Sequence, residues 1–322
     1  MLTVLPLGWV FYLHGTLTVE TFLTVIILSL GMSAPIVAAF NFVDTLAQVG
    51  TTVSQVDEIL KGEEQEDANT TVTFDDYNIE VKDVSFGYHD DKEILHGVSL
   101  SILQNGMTAL VGPSGSGKST LAKLIAGFWD VKNGTITMGG HDLKSIPLVQ
   151  LYDQVAFVSQ DNYLFDDTVR ENIRMGRRDA TDAEVEAAAH AAGCDSFVST
   201  LEKGYDTMGG GGGAHLSGGE RQRIVIAHAM LKDAPVIILD EATANIDPEN
   251  EDRLQKAIEA LTRDKTILMI AHRLKTVRGA DQILVLDGGK IVQQGTHDEL
   301  IKEDGIYADF VGGKKETAGW KL

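Results

Sequence analysis

The 322-residue chain is short of basic side chains: 27 Lys and Arg stand against 47 Asp and Glu, for a net charge of -20. A nucleic-acid-binding surface needs clustered Lys and Arg, so this balance argues against one. Cysteine is nearly absent. The single Cys194 excludes an internal disulfide, and with no His pair beside it in Ala-Ala-Gly-Cys-Asp-Ser-Phe it reads as a buried structural thiol. Charge of either sign is scarce at the start of the chain. Residues 1–43 hold no Lys or Arg, and Glu20 is their one acid, with Asp44 just beyond. A secretory leader would need a basic n-region there, and a second apolar run follows directly, so that alternative is set aside.

What the opening does contain is apolar. Leu2–Leu13 is too short to cross a bilayer of roughly 30 Å at about 1.5 Å per residue. The turn-like His14-Gly15-Thr16 separates it from Thr21–Phe40, a twenty-residue run without charge that is long enough to span. A membrane helix tolerates the Gly31 and Pro35 inside that run. Val43, Leu46, Val49, Val53, Val56, Ile59 and Leu60 then keep helical spacing, which predicts an amphipathic cytosolic extension. Residues 1–60 are therefore expected to be the end of one membrane helix, an outer loop and one full membrane helix. The acidic Lys61–Asp67 opens a linker assigned to 61–76, ahead of a domain at 77–311. The polar tail 312–322 is expected to be mobile.

From Tyr77 onward the pattern is α/β. Ile79–Phe86 alternates, with Ile79, Val81, Val84 and Phe86 apolar, as a strand covering one side does. Val98–Leu103, Met107–Val111, Val155–Ser159, Val236–Leu239, Thr266–Ile270 and Gln282–Leu286 are short apolar runs that read as buried strands. Asp287-Gly288-Gly289-Lys290 reads as a hairpin turn into Ile291–Gln293. Between Asp166 and Met230 the pattern turns helical. Thr181-Asp182-Ala183-Glu184 is a capping box there, and Thr296-His297-Asp298-Glu299 is another near the C-terminus.

Gly112-Pro113-Ser114-Gly115-Ser116-Gly117-Lys118-Ser119-Thr120 sits between the strand Met107–Val111 and an apolar helix over Leu121–Ala126. This is a complete G-x-x-x-x-G-K-S loop in the strand–loop–helix setting it needs. Its glycines let backbone N–H groups turn inward around phosphates at the positive end of a helix. Lys118 then reaches the β- and γ-phosphates, and the Ser119 hydroxyl can ligate Mg²⁺. A Gly-rich surface turn would need neither the Lys-Ser pair nor the strand. The pattern predicts binding of a nucleoside triphosphate.

Val236-Ile237-Ile238-Leu239 ends in Asp240-Glu241, so an apolar strand delivers two carboxylates to the carboxyl edge of a sheet, where ligands of open α/β sheets bind. Asp240 is placed to hold the hydration shell of Mg²⁺, and Glu241 to orient the attacking water. Leu216-Ser217-Gly218-Gly219-Glu220 opens the helix Arg221–Leu231, a second glycine-led helix tip suited to an anion. If the two tips lie in different lobes, a dimer is the economical solution. Each subunit's Ser217–Gly219 would then close over the other's ATP.

At this point a resemblance becomes specific. Leu-Ser-Gly-Gly-Glu is similar to the signature of ATP-binding-cassette (ABC) proteins, and the match covers about 77–310. It implies an α/β phosphate-loop cassette with a RecA-like core, an antiparallel β subdomain and a helical subdomain, preceded by transmembrane helix. Tyr88 falls where the family stacks an aromatic on adenine, worth ~1–3 kcal/mol by analogy with base stacking. Gln160 matches the glutamine that touches Mg²⁺ and senses the γ-phosphate. Asp247, in Ala244-Asn245-Ile246-Asp247, matches the loop that crosses between subunits. His272 matches the switch histidine that contacts the γ-phosphate and positions Glu241.

The order of elements resembles the end of an exporter-type half-transporter, in which six membrane helices precede the cassette. About one and a half are present, so the others are expected from upstream sequence or elsewhere. The resemblance implies ATP and Mg²⁺ as ligands, a second half-transporter, membrane lipid and the missing helices as partners, and a cell membrane location with a cytoplasmic cassette. Asn162–Ile173 resembles the part of the helical lobe that grips the membrane domain, and its Thr168-Val169-Arg170-Glu171-Asn172-Ile173 is typical of exporters. Two departures stand out. Gly209–Gly213 replaces Val-Gly-Glu-Gly-Gly, so an acid is missing at Gly211, and ordering five glycines costs backbone entropy. His228 stands where arginine is frequent. Export is the expected direction; an importer of iron-chelating compounds with the same architecture is the alternative, as is a regulatory protein not competent for transport. A soluble cassette ATPase would carry two cassettes or a coiled coil and no spanning helix.

Overall fold

The computed structural model describes residues 3–61, 65, 67–88, 92–213, 215–240, 256–271 and 277–312. It divides the chain into two compact units, Met1–Glu64 and Gln65–Leu322. The first unit is a helical hairpin. Helix α1 (Val4–Leu13) turns through His14 and Gly15 into α2 (Val19–Leu60), whose first amides are capped by Thr18. Close approach of the two helices explains Gly8: a Cβ there would lie 2.3 Å from the Phe22 ring. α2 runs unbroken through Pro35 for 42 residues, about 63 Å at the usual rise. Among the described residues it is the one helix long and apolar enough to cross a membrane. Its apolar residues from Val43 to Leu60 are exposed within this unit.

The second unit is built on two sheets. The first is antiparallel, ordered β2-β1-β4-β5, from β1 (Ile79–Phe86), β2 (Leu95–Ile102), β4 (Asn133–Met138) and β5 (His141–Asp142). The second is ordered β10-β9-β3-β8-β7-β6, from β3 (Met107–Val111), β6 (Val155–Val158), β7 (Val236–Asp240), β8 (Thr266–Ile270), β9 (Gln282–Asp287) and β10 (Lys290–Gly295). The run β9-β3-β8-β7-β6 is parallel, and β10 closes one edge as the antiparallel arm of a hairpin.

The parallel strands read as unbroken apolar runs because both faces are covered. Alternation sends Val111, Leu239 and Met269 into one core cluster, together with the helices of the insert. Their neighbours Leu110, Ile238 and Ile270 enter a second cluster with the antiparallel sheet and helix α3 (Lys118–Ile125). After the short α4 (Leu148–Gln154), the insert comprises α5 (Val169–Arg174), α6 (Asp182–Ala191), α7 (Asp195–Val198) and α8 (Gly218–Lys232). Cys194 lies within its core, where burial pushes the thiol up to about 12.

Several boundaries differ from the sequence expectation. β2 begins at Leu95 rather than Val98, because pairing with Phe86 extends it past the apolar run. β4 and β5 carry too few apolar positions to declare themselves, and the seven-residue α4 is too short, burying Leu151 alone. Gln65 and residues 67–77 are folded onto the cassette. Gln65 Nε2 donates to Gly127 O at 3.0 Å, the Asp67 carboxylate accepts from Leu148 N at 2.8 Å, and Val72 and Gln150 exchange two hydrogen bonds. The tail 313–322 lies outside the described residues.

Candidate functional site

Strand register puts the functional ends of the parallel sheet level with one another. Leu110 of β3 pairs with Ile270 of β8, which pairs with Asp240 of β7, and Leu239 pairs with Val158 of β6. All four strands are parallel, so their carboxyl ends share one edge. β3 there enters Gly112–Gly117, and β6 leads to Gln160 two residues beyond its end.

The loop is held by backbone constraints. Gly112 (φ +150) and Gly117 (φ +103) lie in conformations that L side chains avoid, and a Cβ at Gly112 would stand 1.9 Å from Leu286 O. Lys118 begins α3 with only 6% of its surface exposed, and its ammonium donates to Gly112 O and Pro113 O at 2.9 Å each. Ser114 and Gly115 are exposed, whereas the Ser116 hydroxyl is buried without a hydrogen-bond partner among the described residues. The helix starts three residues earlier than its apolar pattern suggested, so Lys118, Ser119 and Thr120 all belong to its first turn. Ser119 Oγ donates to Asp240 Oδ1 at 3.3 Å, and Asp240 is 7% exposed.

Tyr88 joins this group from the other sheet. Its hydroxyl donates to Thr120 Oγ1 at 3.3 Å, and its half-exposed ring meets Phe86 and Trp129 edge-on. An open cleft of about 510 Å³ lies over the loop, with Lys92, Glu93, His96, Gly288 and Gly289 opposite Ser114–Thr120. Sequence reasoning missed these rim residues and Ile94 beside them. The pattern showed Gly288-Gly289 as a turn, but not that the turn folds back on the loop.

The signature tip stands apart. Among the described residues, none of Leu216–Glu220 lines that cleft. Leu216 is buried, and Ser217 caps α8, which begins at Gly218 rather than Arg221. Ser217 Oγ accepts from Glu220 N at 3.3 Å and Glu220 accepts from Ser217 N at 2.7 Å, a reciprocal capping box. Ser-x-x-Glu was visible in the sequence. Glu241, Asp247 and His272 lie outside the described residues.

The glycine run beside the signature is not uniformly permissive. Gly210, Gly212 and Gly213 sit at φ +73, +66 and +74, and a Cβ at Gly213 would lie 2.4 Å from the Arg221 stem. A Cβ at Gly211 would meet nothing within 4 Å among the described residues, and Gly211 has no positive φ. Gly211→Ala is accordingly expected to raise stability by about 0.4–1 kcal/mol, and Gly213→Ala to lower it by at least about 1 kcal/mol. Thermal melts of the two variants check this; a lower melting point for Gly211→Ala would show the site is not open. His228 Nδ1 bonds to Asn172 O at 3.3 Å, and burial pushes its pKa down. It ties α8 to α5.

A parallel sheet that delivers a phosphate-binding loop and a facing carboxylate to one edge defines a phosphate-loop nucleotide-binding protein. Residues 95–244 match the family described as ABC transporter. The chain is 42% identical over 301 residues to the ATP-dependent lipid A-core flippase of Photobacterium profundum, covering 92% of this chain and 52% of that protein. It is 46% identical over 261 residues to the mycobactin import ATP-binding/permease protein IrtA of Mycolicibacterium smegmatis, covering 81% of this chain and 29% of the other. The structure of a bacterial Atm1-family ABC exporter with ATP bound aligns with a TM-score of 0.76 at 36% identity, over 84% of this chain and 48% of that one. The chain belongs to the ABC transporter family and carries its nucleotide-binding cassette. It spans about half the length of the flippase and less of the importer.

Proposed function

We propose that this chain hydrolyses ATP to drive a membrane transporter of exporter architecture, working as one of two paired halves. The observation that carries this is the buried Lys118 and Asp240 at the sheet edge, bridged by the exposed Ser119, with the chain's own signature tip outside the cleft. Lys118 binds the β- and γ-phosphates, Gly112–Thr120 cradles them, and Tyr88 stacks on the base. The Ser119 hydroxyl and the Asp240 carboxylate are hard oxygen donors 3.3 Å apart, which fits Mg²⁺ completed by Gln160 and phosphate oxygens. Mg²⁺ bound there would neutralise charge on the phosphates. Glu241 orients the attacking water and His272 positions it, while Asp247 and the Leu216–Glu220 tip act across the subunit boundary.

Residues 1–60 contribute to the membrane domain, with further helices and lipid around them, and the cassette faces the cytoplasm. ATP binding shifts the population toward the closed pair and hydrolysis releases it. The flippase relative favours export. Likeness to the mycobactin importer favours a second reading, uptake of an iron-chelating compound, and transport assays in oriented vesicles separate the two.

Disulfide cross-linking of Ser114→Cys with Ser217→Cys tests the pairing. Bonds between chains that require nucleotide are expected; bonds forming only within single chains would overturn the arrangement. The buried Cys194 thiol will not compete.

A further inference from the structure

We propose that the tip of the β9–β10 hairpin is a positioning element of the nucleotide site, with Gly289 as the residue that fixes the phosphate loop. The inference rests on the nucleotide-binding role of Gly112–Thr120 argued above. Gly288 and Gly289 form a two-residue turn at φ +51 and +75, joining Asp287 to its pairing partner Lys290. Both angles suit the tight hairpin turns that take Asn or Gly at their centre. The two glycines nevertheless have different surroundings. Gly288 is exposed, and a Cβ added there would meet nothing within 4 Å. Gly289 is buried, and a Cβ there would lie 2.2 Å from Ile94 O and 2.8 Å from His96 Cδ2.

Gly289 also bonds in two directions. Its N–H donates to Ser116 O, in the middle of the phosphate loop, at 3.2 Å. Its carbonyl accepts from His96 N at 2.9 Å, on the strand that pairs with the one leading to Tyr88. The two segments also run close at a second point, since a Cβ at Gly112 of the loop would stand 1.9 Å from Leu286 O, next to the last residue of β9. The hairpin tip thus joins the phosphate loop to the antiparallel sheet that carries the base-side tyrosine. A nucleotide bridging these sheets needs their spacing held, and Gly289 stands at the joint. The side chain of a larger residue would wedge Ile94 away from the loop. A displacement well under an ångström at a phosphate cradle is expected to weaken binding by about tenfold.

The test places the same residue at both positions of the turn in the full chain. Asn satisfies a positive φ at either place, so Gly288→Asn controls for turn geometry and Gly289→Asn probes the joint. With Mg·ATP as the probe, Gly289→Asn is expected to raise Kd and KM about tenfold while kcat stays within about twofold, and Gly288→Asn, also on the cleft rim but with room for a Cβ, to raise Kd by no more than about threefold. Equal Kd values for the two variants and the parent overturn the inference. Should Gly289→Asn fail to fold, amide exchange on the unaltered chain decides. Binding and joint stability are reciprocal, so ATP must slow exchange at the Gly289 amide. An unchanged Gly289 rate alongside slowed loop amides overturns the proposal while leaving nucleotide binding intact. A parent chain that binds no ATP would instead sink the nucleotide reading itself.

Discussion

Changing Lys118 to alanine is expected to weaken ATP binding by about a hundredfold. A charge-assisted hydrogen bond contributes about 1.5–3 kcal/mol, and in the proposed complex Lys118 would make such bonds to two phosphates, so a loss near 3 kcal/mol is the lower estimate. The ammonium is already buried and fixed by Gly112 O and Pro113 O, so little side-chain entropy remains to be lost when ATP arrives. The same two contacts mean that the variant also loosens the loop. Titration with a fluorescent ATP analogue measures the loss, and a melt without nucleotide separates loop damage from general unfolding. A Kd within threefold of the parent would restrict Lys118 to bracing the loop.

Glu241→Gln is the second large effect. The amide keeps the size of the carboxylate but removes the charge that we propose orients and polarises the attacking water. Loss of a positioned base typically costs 10²–10⁴ in rate, so turnover should fall by roughly that factor while the Kd for Mg·ATP moves by less than about threefold. The closed pair should then accumulate with ATP, and the Ser114→Cys/Ser217→Cys cross-link reports its formation. Unchanged turnover would remove Glu241 from the chemistry.

The parts of this protein that announced themselves are those whose environment is uniform along the strand. Val236–Asp240 is buried at every position, and up to Leu239 such a run is apolar whatever its neighbours are. The phosphate loop was equally legible, since its glycines answer to local backbone geometry. β4 was not. Asn133-Gly134 looks like a turn, and only Ile136 and Met138 among its six residues are fully buried. Its stability comes from pairing with β1, including a close approach of Gly134 to Asp83 O, which no local pattern encodes. α4 is hidden for a similar reason, being held by Asp67 and Gln150 contacts to the segment at 65–72. At the site, the hairpin tip depends on contacts between residues far apart in sequence. The signature helix was legible, but its true start needed the cap, because Gly218 and Gly219 are poor helix formers that Ser217 and Glu220 together hold in place.

That reciprocal cap has a consequence for how two halves would part. Ser217 commits an oxygen lone pair to the Glu220 amide and keeps its hydroxyl proton, so a donor stands ready for an incoming phosphate. Glu220 meanwhile parks a negative charge on the same tip through the Ser217 amide. An arriving anion therefore meets a tenant of its own sign. If a partner's triphosphate docks on this tip as proposed, the Ser217 hydroxyl would hold it against the opposing Glu220 charge, and loss of the terminal phosphate would leave that opposition to favour release.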